Sequence, residues 1–187
     1  QLPGVPSSAF VNDIKADHFD EKTAYIALDN HKFGDYQPYL FKTTNGGDKW
    51  VSITNGIPKG TLVWRIIQDH VNPNLLFLAT EYGVYVSVNK GEKWHKFSNG
   101  LPTIPVRDLA IQKRENDLVL ATFGRSFYVM DDYSPLREIT EETIQKDAIL
   151  FKPRKGLQYQ QMYGGTSSSG SANFIAKNPE YGTTISY

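Results

Sequence analysis

Apolar residues along this chain come in short runs, and each run stops at a cluster of Asn, Asp, Pro or Gly. The pattern is clearest over residues 61–104. It predicts strands at about 63–68, 75–80, 84–88 and 93–97, with breaks at Asn72-Pro73-Asn74, Tyr82-Gly83 and Asn89-Lys90-Gly91. The runs are rich in Val, Ile, Tyr and Phe, which fit a pleated, half-buried surface. No stretch of blade-forming sequence carries the 3.6-residue spacing of an amphipathic helix, so the reading is all-β.

The pattern repeats. "IKADHFDEKTAYIAL" lies over "IIQDHVNPNLLFLAT" without a gap, pairing Asp17-His18 with Asp69-His70 and Ala27 with Ala79. Eight-residue stretches, "TTNGGDKW" (43–50) and "SVNKGEKW" (87–94), match at Ser/Thr, Asn, Gly, Lys and Trp, and "NGIP" and "NGLP" follow them in register. The first unit is longer than the second because of an insertion in "NHKFGDYQP", expected to be a loop. A third unit begins at "VRDLAIQ", and its "LVLAT" lies over "LFLAT". Four strands in a unit of this length make a propeller blade. The expectation is a partial β-propeller of about three four-stranded antiparallel blades, at 9–60, 61–104 and 105–133. Propellers close with about four to eight blades, so further blades or another chain are expected to complete the ring.

After residue 133 the pattern changes. In "YSPLREIT", Ser134 is a plausible N-cap with Pro135 at the first helical position, and Thr140 with Glu141 and Glu142 can start a further turn. Residues 134–150 are expected to be a short helical connection. Residues 151–187 are expected to be an irregular tail, with a flexible run at Gly164–Ser171 and a strand starting at "GTTISY".

Composition narrows the function classes. Among 187 residues, 20 basic side chains balance 20 acidic ones, leaving no basic footprint for nucleic acid or an anionic membrane. No apolar run approaches the roughly 18–20 residues of a membrane helix. There is no Cys, which removes disulfides and thiolate chemistry and leaves the redox compartment open. The start "QLPGVPSSAF" has neither an initiator Met nor a signal-peptide core, which suggests an internal piece or a processed chain.

The two octets resemble the Asp-box, or BNR, repeat of sialidases, xyloglucanase-type glycoside hydrolases and sortilin/Vps10-type propellers. With "VRDLAIQ" and "ATFGRSFYVMDD", the chain is most similar to bacterial BNR-repeat proteins described as glycosyl hydrolase-like, over about residues 11–136. The resemblance implies an extracellular or periplasmic protein. In the octet, Thr43 or Ser87 opens the turn, and Asn45 or Asn89 can fold its side chain onto the turn backbone. Gly47 or Gly91 permits a positive φ, and Trp50 or Trp94 starts the next strand with a large ring. These roles describe a structural staple, with sugar stacking or metal binding as the alternative. The third unit has Asp132 at the Asn position but no Gly or Trp after it.

In a propeller the loops joining second to third strands, and fourth to the next first, share one face, and the octet turns emerge on the other. The first face receives the insertion with Tyr36, the turns holding Glu81, Tyr82 and Arg125, and the starts of the inner strands with Trp64, Arg65 and Arg107. Arg65 and Arg107, expected at matching blade positions, could grip a carboxylate, and Tyr36, Tyr82 or Trp64 could stack on a sugar. Alternatively each Arg pairs with a carboxylate of the neighbouring blade. Such a mouth suits an acidic glycan or a peptide terminus. Asp13, Asp108, Asp131 and Asp132 could furnish the carboxylates of a glycosidase, the competing reading. His18, His70, His31 and His95 show no ligand spacing, so no metal or cofactor is expected.

Overall fold

The computed structural model describes residues 2–98, 100–140, 142–156 and 182–187. The chain divides into two compact units, Gln1–Ile144 and Gln145–Tyr187. The first holds three antiparallel sheets, each a meander in chain order. Sheet one contains β1 (Phe10–Ala16), β2 (Ala24–Asn30), β3 (Asp35–Thr43) and β4 (Val51–Ser52). Sheet two contains β5 (Val63–Gln68), β6 (Leu76–Thr80), β7 (Gly83–Ser87) and β8 (His95–Phe97). Sheet three contains β9 (Val106–Gln112), β10 (Asp117–Thr122) and β11 (Phe127–Met130). The first strands lie side by side, β5 touching both β1 and β9. No helix among the described residues is long and apolar enough to cross a membrane.

Burial follows from this stacking. Every residue of β6 and β7 is buried, because sheet two is covered on both faces. Strand alternation sends Phe77 and Ala79 towards Leu109, Leu118 and Leu120 of sheet three. Leu76 and Leu78 face Tyr25, Ala27 and Leu40 of sheet one. The outer face of sheet one, with Ile26, Leu28 and Phe41, is covered by Leu2, Val5 and Ala9 from the N-terminal segment. The outer strand of sheet three leaves Phe127 and Val129 exposed.

All three inner strands carry an irregularity at one place. The register shifts between Val11 and Asp13, between Val63 and Arg65, and opposite Ala121/Thr122, between Val106 and Asp108. Asp13, Arg65 and Asp108 therefore oppose the equivalent residues Ala27, Ala79 and Ala121. Asn12, Trp64 and Arg107 are the extra residues of the bulges, and a bulge re-aims its side chains.

Several expectations need correction. Sheet three has three strands, because Asp132 and Tyr133 lead into a 3-10 turn at Ser134–Glu138 instead of a fourth strand. Ser134 lies inside that turn and does not cap it; its hydroxyl donates to Asp132 Oδ1 at 2.6 Å. The insertion is only partly loop: a 3-10 turn at His31–Phe33 runs directly into β3, with Asn30 paired to Asp35. In the second unit, residues 182–187 form no strand, although the Phe151 N–H donates to the Ser186 carbonyl at 3.1 Å. The Gly164–Ser171 run and Glu141 lie outside the described residues.

Candidate functional site

The two octets fold into the same turn, joining β3 to β4 and β7 to β8. Thr43 Oγ1 donates to Asn45 Oδ1 at 2.9 Å and accepts the Gly47 N–H at 3.0 Å; Asn45 Oδ1 also accepts the Lys49 N–H at 2.9 Å. Ser87, Asn89, Gly91 and Lys93 repeat this at 2.9, 2.9 and 3.0 Å. Gly47 and Gly91 sit at φ 99° and 87°, where a β-carbon is strained. The Trp residues differ. Trp94 is buried and donates Nε1–H to the Ile53 carbonyl of the preceding sheet at 2.7 Å, whereas Trp50 is half-buried against Phe41 and its neighbours. A cavity of about 510 Å³ lies beside these turns, lined by Lys42, Lys49, Asn55 and Glu92 among others.

The repeated Asp-His pair marks a second staple that the sequence reading missed. Asp17 accepts the N–H groups of Phe19 and Asp20 and so folds its own turn. Its other oxygen accepts Tyr25 Oη and Gln68 Nε2, both at 2.9 Å, with Lys90 Nζ at 3.3 Å. Asp69 does the same one sheet later, taking the N–H groups of Val71 and Asn72, Tyr133 Oη at 2.6 Å, and Arg137 through two bonds of 2.8 Å. Burial works to raise the Asp69 pKa, but the bonds from Arg137, Tyr133 and the Asn72 N–H win and hold it at about 2. Asp17 is lowered for the same reasons, its burial outweighed by Phe19, Tyr25 and Gln68. In the third sheet Gln112 stands at this place and accepts the Glu115 N–H. His18 and His70 follow these aspartates in the turns, and His70 Nδ1 is 3.5 Å from Asp69.

At the opposite ends of the inner strands, five of the seven ligand candidates meet. Tyr36, Trp64, Glu81, Tyr82 and Arg107, joined by His31, line a pocket of about 190 Å³. The elements that bring them are the β2–β3 connection with the start of β3, the bulges of β5 and β9, and the β6–β7 turn. Arg107 lies over the Trp64 ring at 3.7 Å, with the Phe123 ring at 5.7 Å. Trp64 is only 7% exposed, so its face holds the guanidinium and does not serve a sugar. Tyr36 and Tyr82 are the exposed rings. Trp64 Nε1–H donates to Glu81 Oε2 at 3.0 Å, and the His31 ring meets Trp64 edge-on at 5.8 Å. His31 Nδ1 contacts the carboxylate of Asp29, which is buried.

Arg65 and Arg125 lie elsewhere. Arg125 is exposed in the β10–β11 turn and does not line the pocket. Arg65 matches Asp13 and Asp108 in register, while Arg107 matches Asn12 and Trp64. The two arginines are thus not at matching positions: Arg107 is the extra residue of its bulge and Arg65 the residue after the extra one, so their side chains meet different surroundings. Arg65 lines a groove of about 250 Å³ along the inner strands with Asp13 and Asp108. It pairs with Asp108 of the next strand at 3.5 Å and donates to the Asn12 carbonyl. Arg107 has no ion pair among the described residues. Asp13 accepts the Ile66 N–H at 3.1 Å and sits 3.6 Å from Lys15. Asp132 is engaged by Ser134, away from the groove residues, and no cluster of three metal-ligating side chains occurs among the described residues.

No protein-family model matches the sequence, and no curated protein matches it. Among solved structures, an ancestral GH74 enzyme superposes with TM-score 0.50 at 22% identity, covering 62% of this chain and 14% of that one. YCF48 bound to D1 peptide superposes with TM-score 0.42 at 16% identity, covering 62% of this chain and 35% of that one. The GH74 enzyme is a β-propeller. This chain is a partial β-propeller. Its sheets are consecutive blades, and the likeness at this identity concerns the fold alone. The inner strands β1, β5 and β9 lie side by side, the Arg107 pocket, the mouth, lies at one end of them, and the aspartate staples and octet turns lie at the other. Fold does not carry function across propellers, so the function must be argued from the mouth.

Proposed function

We propose that this chain is a non-catalytic, ligand-recognising segment of an extracytoplasmic BNR/Asp-box propeller, whose mouth holds a glycan or peptide. The observation that carries the reading is Arg107, set over the Trp64 ring with the Phe123 ring at 5.7 Å, and without an acidic partner among the described residues. A cation fixed in this way keeps its planar N–H fork for an incoming anion. The exposed rings of Tyr36 and Tyr82 beside it give an apolar ligand face somewhere to lie.

The exposed Phe127 and Val129 of the third blade, set against the covered outer face of the first, support further blades, of this protein or of another chain, continuing the ring on that side. The competing reading, part of a xyloglucanase-like hydrolase, needs two carboxylates separated across a sugar. Asp13 and Asp108 line the groove, but Arg65 pairs with the second and the Ile66 N–H occupies the first.

The test is binding of the 187-residue chain to a panel of acidic and neutral oligosaccharides and of peptides, with reducing-end release measured on the saccharides. The proposal expects anion-dependent binding that Arg107→Gln removes, with no sugar released. Saccharide cleavage lost in Asp13→Asn or Asp108→Asn would put the hydrolase in its place.

A further inference from the structure

We infer that the ligand of the mouth pocket is a uronic-acid residue of an acidic polysaccharide. This deepens the proposal above and rests on the mouth being a ligand site. Three features of the pocket choose among carboxylate-bearing ligands.

The first is the donor. Arg107 places its guanidinium carbon 3.7 Å from the centre of the Trp64 ring and has no ion pair among the described residues, so its N–H groups remain for a ligand. A planar two-pronged fork matches a carboxylate. The second is a pair of acceptors. Glu81 spends Oε2 on the Trp64 indole N–H and keeps Oε1 without a partner among the described residues. His31 has its Nδ1 against the buried Asp29 carboxylate, so in the neutral ring Nδ1 carries the proton. Nε2 of that ring is then an acceptor for the pocket that the ring lines.

The third feature is size and shape. The cavity is about 190 Å³, below the roughly 300–1,000 Å³ of sites for larger small molecules, and is flanked by the exposed rings of Tyr36 and Tyr82. It suits one sugar-sized ring. A uronic acid carries its carboxylate and several hydroxyl donors on one rigid ring, and so answers one donor fork and two acceptors together. A peptide terminus places one backbone N–H beside its carboxylate and leaves the second acceptor without a dependable donor. Buried or half-buried acceptors left without donors cost affinity, which is how such a site discriminates.

The experiment is calorimetric titration of the full chain with galacturonate and glucuronate trimers, their carboxyl-reduced neutral counterparts, and short peptides ending in a free carboxylate or an amide. The inference expects a uronate trimer to bind about 10- to 100-fold more tightly than its reduced form, the range of a charge-assisted hydrogen bond. Arg107→Lys, which keeps the charge but loses the fork, should remove most of that difference. Glu81→Gln and His31→Gln should each weaken uronate binding about tenfold.

Arg107-dependent binding of free-acid peptides with no uronate binding would overturn the inference and leave the recognition role intact. Equal binding of uronate by wild type, Glu81→Gln and His31→Gln would overturn it as well. No Arg107-dependent binding of any probe would overturn the inference and the recognition role together.

Discussion

The two ends of the inner strands treat charge in opposite ways. At the octet end, Asp69 is fully buried and its carboxylate is matched by Arg137, Tyr133 and two backbone N–H groups. At the mouth, Arg107 is exposed, held by aromatic rings and paired with no acid among the described residues. A buried charge without partners costs several kcal/mol, so the octet end must be complete for the blades to pack. An exposed cation carries no such penalty and can be kept for a ligand. The difference separates a stability device from a recognition device along the same strands. It also predicts that substitutions at one end change folding and substitutions at the other change binding.

The strongest way to break that separation is Asp69→Ala, which leaves Arg137 and the Tyr133 hydroxyl facing a buried gap. The expected loss is about 3–5 kcal/mol, read from the urea midpoint. A loss below about 1 kcal/mol would show that blades two and three are held by apolar packing alone.

Acid offers a gentler probe of the same carboxylate. Its folded pKa of about 2 lies below the roughly 3.9 of an unfolded Asp. A depressed pKa gives stability that is present above about pH 4 and lost as the pH falls towards 2. The loss should amount to roughly 2 kcal/mol. Asp69→Asn should be less stable throughout and show a smaller drop over that window in denaturation curves at successive pH values.

Gly56→Ala should cost about 2 kcal/mol or more. The glycine has φ 92°, and a β-carbon there would lie 2.2 Å from the Trp94 carbonyl oxygen. Trp94→Phe should cost about 1–2 kcal/mol by stranding the Ile53 carbonyl that the indole now satisfies. Arg107→Gln stands at the other extreme, with a stability change within about 0.5 kcal/mol while ligand binding falls. A large loss of stability in this last variant would mean that the stack on Trp64 is structural.

How much of this was legible in the sequence follows from the range of each interaction. Second-blade strands could be read because apolar runs sit between turn residues, a local signal. β8 starts later than the reading placed it, because Lys93 and Trp94 still belong to the octet turn. The third blade's missing fourth strand had a signal as well, since no Gly or Trp follows Asp132. The partners of Asp17 and Asp69 lie 51 and 68 residues away in the chain, beyond any local pattern, although the repeated Asp-His pair marked the places. The bulge in each inner strand was invisible. Arg107 is the extra residue of its bulge and Arg65 the residue after the extra one, and aligning "VWRI" with "VRDL" carries that one-residue offset but not the bulge that gives it meaning.

The most direct test of the mouth as the ligand site is a ¹H–¹⁵N titration of the full chain with a galacturonate trimer. The account predicts shifts at Trp64, including its indole N–H, and at Glu81, Tyr82 and Arg107, with the octet turns unmoved. Shifts centred on Asn45, Lys49 and Gly91, beside the larger cavity of about 510 Å³, would contradict it and move the site to the opposite end of the blades.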